Sequence, residues 1–216
     1  MKTPVVLICF LFCFVLAQPI NAQESPSVEE RSDSVSPDKQ WEYKCVEYDA
    51  TYHQCEPEIV KPGTSQLVLD LGEEEAVYNP EANEARVVWA PDSKRFAFNY
   101  SPVHAHHTTY KTVAFYELRG DKWAALRAPE DAVAQFAKEH VAGKAHLSKD
   151  KRIPNVLITQ VWSDSATVTM YAIWHGEGSD ERRVGYTLTL KFDDSGRWKI
   201  FKTRRLSPKE SEGFDD

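Results

Sequence analysis

Glycine is scarce in this chain, at nine of 216 residues, and the glycine-rich motifs of several enzyme classes are missing. There is no P-loop, no Gly-x-Gly-x-x-Gly fingerprint and no Gly-x-Ser-x-Gly nucleophile elbow. The first two motifs need glycine because backbone amides must approach a phosphate closely, and the third needs it for a sharp turn that exposes the serine. The sequence therefore predicts no cofactor and offers no complete catalytic constellation.

Long apolar runs are also rare, and the one that stands out lies at the amino terminus. Residues 5–17 form this run; Lys2 precedes it and the small-residue exit 20–22 follows it. The layout is typical of a secretory signal peptide. The run is shorter than the about 20 apolar residues of a membrane-spanning helix. We expect residues 1–22 to be removed and a secreted or periplasmic protein without a membrane anchor to be released.

Cysteine is scarce as well, and two of the four cysteines lie inside the predicted leader. The mature chain keeps Cys45 and Cys55, an even pair in an exported protein, which favours a disulfide. A zinc half-site using the neighbouring His53 is the alternative. A Cys-x9-Cys spacing with a single histidine does not fit the common zinc motifs, so the disulfide is the preferred interpretation.

Positive charge is in deficit, since the formal net charge is −7 and the predicted leader carries away one further lysine. A phosphate backbone would be repelled on average, so we expect no nucleic acid partner. The local exception is residues 199–205, where four cations interrupt the last predicted strand. Lysine and arginine are typical of an edge strand that avoids unwanted pairing.

Composition divides the mature chain into three parts. Residues 23–40 are rich in Ser, Glu, Pro and Asp, which predicts a disordered linker because such a tract cannot bury enough apolar surface. Residues 41–206 are long enough for a single β-rich domain. Residues 207–216 form an acidic tail.

Alternating apolar and polar residues predict mostly antiparallel strands. The predicted strands are residues 41–48, 66–71, 85–90, 95–100, 109–118, 122–126, 156–162, 167–174, 183–192 and 198–204. One helix is predicted over residues 129–142, because Pro129 and two acids open an apolar pattern of helical spacing that Gly143 ends. The fold class is therefore α+β and mainly antiparallel β, with two four-stranded meanders, one helix between them, and aromatic residues filling the core.

Residues 86–100 read as a strand, a tight turn and a second strand. The pattern is carried by Trp89, Pro91, Asp92, Ser93, Phe96 and Phe98. This segment resembles the repeat of WD40-like, TolB-type β-propellers, in which such a hairpin belongs to a four-stranded blade. The resemblance implies a fold that serves binding in some proteins and catalysis in others. A propeller closes with about four or more blades.

A degenerate second copy of the pattern lies near residues 161–171, where Trp162-Ser163-Asp164-Ser165 lacks the proline. Each corner is followed by a second hairpin that ends in a glycine and a tryptophan, at Trp123 and Trp198. An internal duplication and the independent use of common hairpin chemistry both explain this echo.

Few residues offer candidate chemistry. His104, His106 and His107 are the only cluster of metal-ligating type, and two of them would share one side of an extended loop. A solvated loop without metal is the alternative. Arg119-Gly120-Asp121 resembles an adhesion tripeptide and Asp193-Asp194-Ser195-Gly196 resembles a calcium loop, but both also fit tight hairpin turns.

The sequence supports two classes of function. A non-catalytic binding or protein-interaction module fits the hairpins and the lack of catalytic motifs, and its partner would be another protein. The alternative is a secreted hydrolase, metal-dependent if the His104–His107 loop takes part, whose site is assembled from distant residues.

Overall fold

The computed structural model describes residues 35–49, 54–77, 84–102, 110–141, 153–176 and 183–212. The chain divides into two units, Met1–Glu30 and Arg31–Asp216, and every described residue belongs to the second. The strands are β1 Glu42–Asp49, β2 Gln54–Val60, β3 Leu67–Asp70, β4 Arg86–Trp89, β5 Arg95–Tyr100, β6 Thr112–Arg119, β7 Lys122–Ala125, β8 Val156–Asp164, β9 Thr167–His175, β10 Arg183–Phe192 and β11 Trp198–Arg205. The helices are α1 Leu71–Glu75, α2 Glu130–His140 and α3 Pro208–Glu212.

The strands form three antiparallel meanders, each built from consecutive strands. We call them the amino-terminal sheet (β1-β2-β3), the central sheet (β4-β5-β6-β7) and the carboxy-terminal sheet (β8 to β11, with β8 and β11 at its edges). The predicted fold class is confirmed: the protein is mainly antiparallel β, and two four-stranded meanders are separated by α2. The amino-terminal sheet contains the predicted strands at residues 41–48 and 66–71 and adds β2, which the alternation pattern does not predict because β2 carries Pro57 in its interior.

The central sheet is buried on both faces. In β5, Phe96 and Phe98 pack in one apolar core with the amino-terminal sheet, whereas Ala97 packs in a second core with the carboxy-terminal sheet. Successive residues of a strand point to opposite faces, so one strand supplies both cores. Five of the six tryptophans are buried, which agrees with the expectation that aromatic residues fill the β core.

Helix α2 forms as predicted. Pro129 is its amino-terminal cap residue, two acids lie in the first turn, and the buried side chains of Val133, Phe136 and Ala137 face the second core. Phe136 packs edge-on against Tyr186 of β10, with 5.1 Å between the ring centroids. The helix therefore covers the carboxy-terminal sheet on the face that also meets the central sheet.

The predicted disulfide is confirmed. Cys45 of β1 and Cys55 of β2 are bonded, with their Cα atoms 5.2 Å apart. The bond ties together two neighbouring strands of the amino-terminal sheet, so it leaves no thiolate for a zinc site. His53 lies outside the described residues.

Three hairpin turns use an aspartate in the same way. The carboxylate Oδ1 accepts a hydrogen bond from the amide two residues later: Asp92 from Lys94 at 3.1 Å, Asp164 from Ala166 at 2.8 Å, and Asp193 from Ser195 at 2.9 Å. This Asx turn is common wherever the chain reverses direction. The Asx turn therefore explains why an aspartate recurs at the same place in both Trp-Asp-Ser patterns, whether or not the two meanders arose by duplication.

Residues 35–40, which composition assigns to the linker, pack against the first of these turns. Ser93 adopts a left-handed conformation with φ of 59°, is buried, and accepts a hydrogen bond from the Asp38 amide at 2.9 Å. Ser36 accepts another from the Trp41 amide at 3.0 Å. Residues 35–40 therefore pack against the domain that the sequence predicts to begin at residue 41.

Candidate functional site

The histidine segment falls outside the described residues, so the predicted ligands His104, His106 and His107 have no structural account. Within the described ranges, no group of three or more His, Cys, Asp or Glu side chains is placed to hold a metal ion. His140 of α2 has a side chain that is 54% exposed and lies 3.8 Å from the Glu139 carboxylate. Its position on the last turn of the helix explains this exposure.

The two turn motifs of the sequence are hairpin turns. Gly120, with φ of 67°, and Asp121 join β6 to β7, and Arg119 pairs with Glu117 at 3.1 Å. Asp193 opens the turn between β10 and β11. Its carboxylate accepts hydrogen bonds from the Ser195 hydroxyl at 2.6 Å and from the Arg197 amide at 3.0 Å. These donors lower the pKa of Asp193 to about 2, the Ser195 hydroxyl contributing most.

A tyrosine pair binds a carboxylate at one end of the central sheet. Tyr100 donates its hydroxyl to Glu75 Oε2 at 2.9 Å, and Tyr116 donates to Glu75 Oε1. Burial raises the pKa of both phenols well above the ordinary value of 10, and the Glu75 charge adds to the effect. Both hydroxyls therefore stay protonated as donors, and the arrangement anchors α1 to the central sheet.

The carboxy-terminal sheet differs at its two edges. At the β8 edge, the Leu157 amide donates to Lys111 O at 2.8 Å and the Lys111 amide donates to Asn155 O at 3.0 Å, which joins this edge to the central sheet. At the other edge, β11 pairs with β10, and no further strand of the described residues lies beyond it. The predicted cationic edge strand is therefore confirmed as an edge.

Five of the six exposed side chains of β11, all except Thr203, form the surface that we call the basic edge: Lys199, Phe201, Lys202, Arg204 and Arg205. Lys199 pairs with Lys191 of β10 and Arg204 pairs with Thr187, while the intervening β10 residues Leu188 and Leu190 belong to the core. Residues opposite each other in a sheet share a face. Lys199 and Arg204 consequently lie on the outer face of the sheet.

A β-bulge exposes an aromatic ring in the middle of the basic edge. The register between β10 and β11 shifts between Thr189 and Leu190, which leaves Phe201 unpaired between Ile200 and Lys202. Phe201 is 65% exposed, and Lys191 Nζ lies 5.8 Å from its ring centroid. The bulge thus places a large apolar side chain among cations on the outer face.

An open groove of about 480 Å³ runs along the same hairpin. Its lining includes Lys191, Asp193, Arg197, Trp198, Lys199 and Phe201. Trp198 is fixed there because its Nε1 donates to Arg127 O at 2.9 Å. The groove combines an indole, an exposed phenyl ring and an arginine, which are enriched at contact surfaces between proteins, with lysines and aspartates of the kind found at the polar rim of such surfaces.

Arg95 of the central sheet positions this hairpin. Its guanidinium contacts Glu117 at 2.5 Å and donates to Ser165 O at 2.9 Å and to Asp193 O at 3.3 Å. It therefore ties both tight turns of the carboxy-terminal sheet to one partly buried ion pair. Sequence alone did not single out Arg95, because its partners lie 70 and 98 residues away.

Comparison with known proteins identifies no relative: no family model, curated protein or solved structure matches the chain. Among the helices that the structure describes, none has the length and apolar character to cross a bilayer. The basic edge and its groove are therefore the surface from which a function can be inferred.

Proposed function

We propose that the protein is an exported, non-catalytic binding module that contacts another protein through the basic edge. The observation that carries this proposal is Phe201, an aromatic side chain that is 65% exposed at the centre of an open strand edge. Aromatic and arginine side chains are enriched where proteins bind one another. The same surface holds a groove for side chains of a partner.

Export is supported by two independent features. Residues 1–22 have the layout of a signal peptide. The disulfide between Cys45 and Cys55 fits an oxidising compartment outside the cytosol. The resemblance of residues 86–100 to propeller blades agrees with a binding role, since blades of this kind present surfaces to partners in many proteins.

The proposal is tested by site-specific photo-crosslinking in the native exported fraction. A photoreactive phenylalanine analogue is placed at position 201 of the tagged mature chain, residues 23–216. The matched control carries the same analogue at Leu67, which is 50% exposed on β3 of the amino-terminal sheet. We expect a reproducible protein adduct from position 201 that position 67 does not give. The same adducts from both positions, or none from either, would contradict the proposal.

A metal-dependent hydrolase remains the alternative predicted from the sequence, with His104, His106 and His107 as ligands. It is tested by elemental analysis of the purified mature chain beside a variant with all three histidines replaced by alanine. Stoichiometric metal that is lost in the variant, together with hydrolytic activity that follows the metal, would favour the alternative.

A further inference from the structure

We infer that the partner contributes an extended acidic segment that pairs with β11 as a fifth strand of the carboxy-terminal sheet. This inference rests on the proposed function and names the chemistry of the partner at the same surface. An edge strand offers every second amide and carbonyl of its free side to an incoming strand. Strand addition of this kind supplies affinity through main-chain hydrogen bonds and specificity through side chains.

β11 is the edge of this sheet that is open to such pairing. The β8 edge is occupied, because Leu157 and Asn155 exchange hydrogen bonds with Lys111 of the central sheet. β11 is eight residues long, and within the described residues its only strand partner is β10. A strand of that length is typical of globular proteins and is enough for a stable pairing.

The positive charges of β11 indicate which kind of strand would pair with it. Arg204 is paired within the chain, to Glu210 at 3.1 Å, but Lys199, Lys202 and Arg205 make no ion pair with a described residue. Three exposed cations with no counter-ion among the described residues therefore lie together in a chain of formal net charge −7. A second copy of β11 would bring like charges face to face, whereas carboxylates on an incoming strand would neutralise them.

The exposure of Phe201 distinguishes an edge that binds a partner from an edge that is only protected against aggregation. Lysines and bulges both protect edge strands from aggregation, and β11 has both. Protection gives no reason to extrude a phenyl ring that remains 65% exposed. An apolar side chain among cations is instead suited to anchor one apolar residue of an otherwise acidic segment.

The test uses the mature chain and a fluorescent peptide of about ten residues in which glutamate alternates with valine, an extended acidic strand former. A second peptide has the same sequence but an N-methyl group on every backbone amide, so it keeps its charge and can donate no main-chain hydrogen bond along either edge. The chain variant is Lys199→Glu with Lys202→Glu, and the matched control is Lys122→Glu with Lys138→Glu, two exposed lysines outside β11. Circular dichroism checks that each variant is folded.

We expect the peptide to bind the wild type, with anisotropy rising and with amide hydrogen exchange slowing in β11. Reversal of the two β11 charges should weaken binding by about tenfold or more, whereas the control reversal should change it by less than about threefold. The N-methylated peptide should lose binding. Binding of the N-methylated peptide equal to that of its parent, or unchanged exchange in β11, would overturn the inference in favour of non-specific attraction.

The outcomes also separate this inference from the proposal on which it rests. Failure of the peptide to bind, while the photo-crosslinker at Phe201 still captures a partner, would overturn the acidic strand and leave the interaction module standing. Failure of both experiments would overturn both. Self-association of the wild type through β11, abolished by Phe201→Ser, would replace the acidic partner with a second copy of the chain.

Discussion

The buried amide of Asn99 should be among the most sensitive positions of the fold. Its Oδ1 accepts a hydrogen bond from the Thr159 amide at 2.7 Å, and its Nδ2 donates to Thr159 O at 3.0 Å. One side chain thus satisfies both backbone groups of a residue on the neighbouring sheet, 60 positions away in sequence. Both residues are buried, so water does not replace these bonds easily.

The change Asn99→Ala removes both bonds together. The Thr159 amide would be left buried without an acceptor, at a cost of about 1 to 3 kcal/mol. The Thr159 carbonyl would keep only the longer bond from Arg86 Nη2 at 3.4 Å. With the lost packing of the side chain, the free energy of unfolding should fall by about 2 to 4 kcal/mol, a large part of the about 5 to 15 kcal/mol typical of a domain.

The assay is urea unfolding of the mature chain, followed by tryptophan fluorescence, with a parallel thermal scan in which the midpoint should fall by about 5 to 15 °C. The matched control is Asn155→Ala, because Asn155 is only partly buried and accepts one hydrogen bond, from the His175 amide at 2.9 Å. That control should lose about 1 kcal/mol. Equal losses for the two variants, or a loss below about 0.5 kcal/mol for Asn99→Ala, would refute the idea that this amide joins the two sheets.

Three further predictions follow from charge, hydroxyl groups and the disulfide. The pKa of Asp193 is lowered to about 2 from an ordinary 3.8. The stabilising effect of the Asp193 carboxylate is therefore present above pH 3.8 and is lost as the pH falls through about 2. Asp193→Asn should flatten that part of an acid-unfolding curve. In alkaline titration at 295 nm, Tyr100 and Tyr116 should fail to ionise near pH 10, because their pKa values are raised in the folded protein. The unfolded phenols ionise near pH 10, so the contribution of the two hydroxyls to stability is fully present below pH 10 and falls as the pH rises above it. An early absorbance step equal to all nine tyrosines would contradict this. Replacing Cys45 and Cys55 with alanine should lower the free energy of unfolding by about 2 to 3 kcal/mol, measured without reductant, while reductant alone should destabilise the wild type by a similar amount.

Local patterns predicted the parts of the fold that depend on neighbours in sequence. Alternation located ten of the strands, and an opening proline with acids located α2. The disulfide followed from an even cysteine count after the leader is removed. The turn interpretation of Gly120 and Asp193 was confirmed because both positions satisfy hydrogen bonds or backbone angles inside a tight reversal.

Features that depend on residues distant in sequence were not predicted from the sequence. β2 was missed because Pro57 argues against a strand and the ladder that includes it forms only once β1 and β3 are in place. The two hydrogen bonds between the Asn99 amide and Thr159 were not predicted, because the two residues lie 60 positions apart in sequence. The cations of β11 were recognised as an edge, but the exposure of Phe201 depends on a bulge that no local pattern marks.

The stacking of the three sheets follows the order of the chain, and this has a consequence for how the protein reaches its folded state. Each sheet is a local meander, so the contacts within a sheet form quickly. The apolar face of that sheet stays exposed to water until the next sheet has formed and packs against it. A chain emerging from its amino terminus would hold the first sheet unpaired until Phe96 and Phe98 arrive, and the central sheet unpaired until Leu188 and Leu190 arrive. The interval between those events is when a chaperone would be needed, and a chain cut short after β7 would expose one complete apolar face to aggregation.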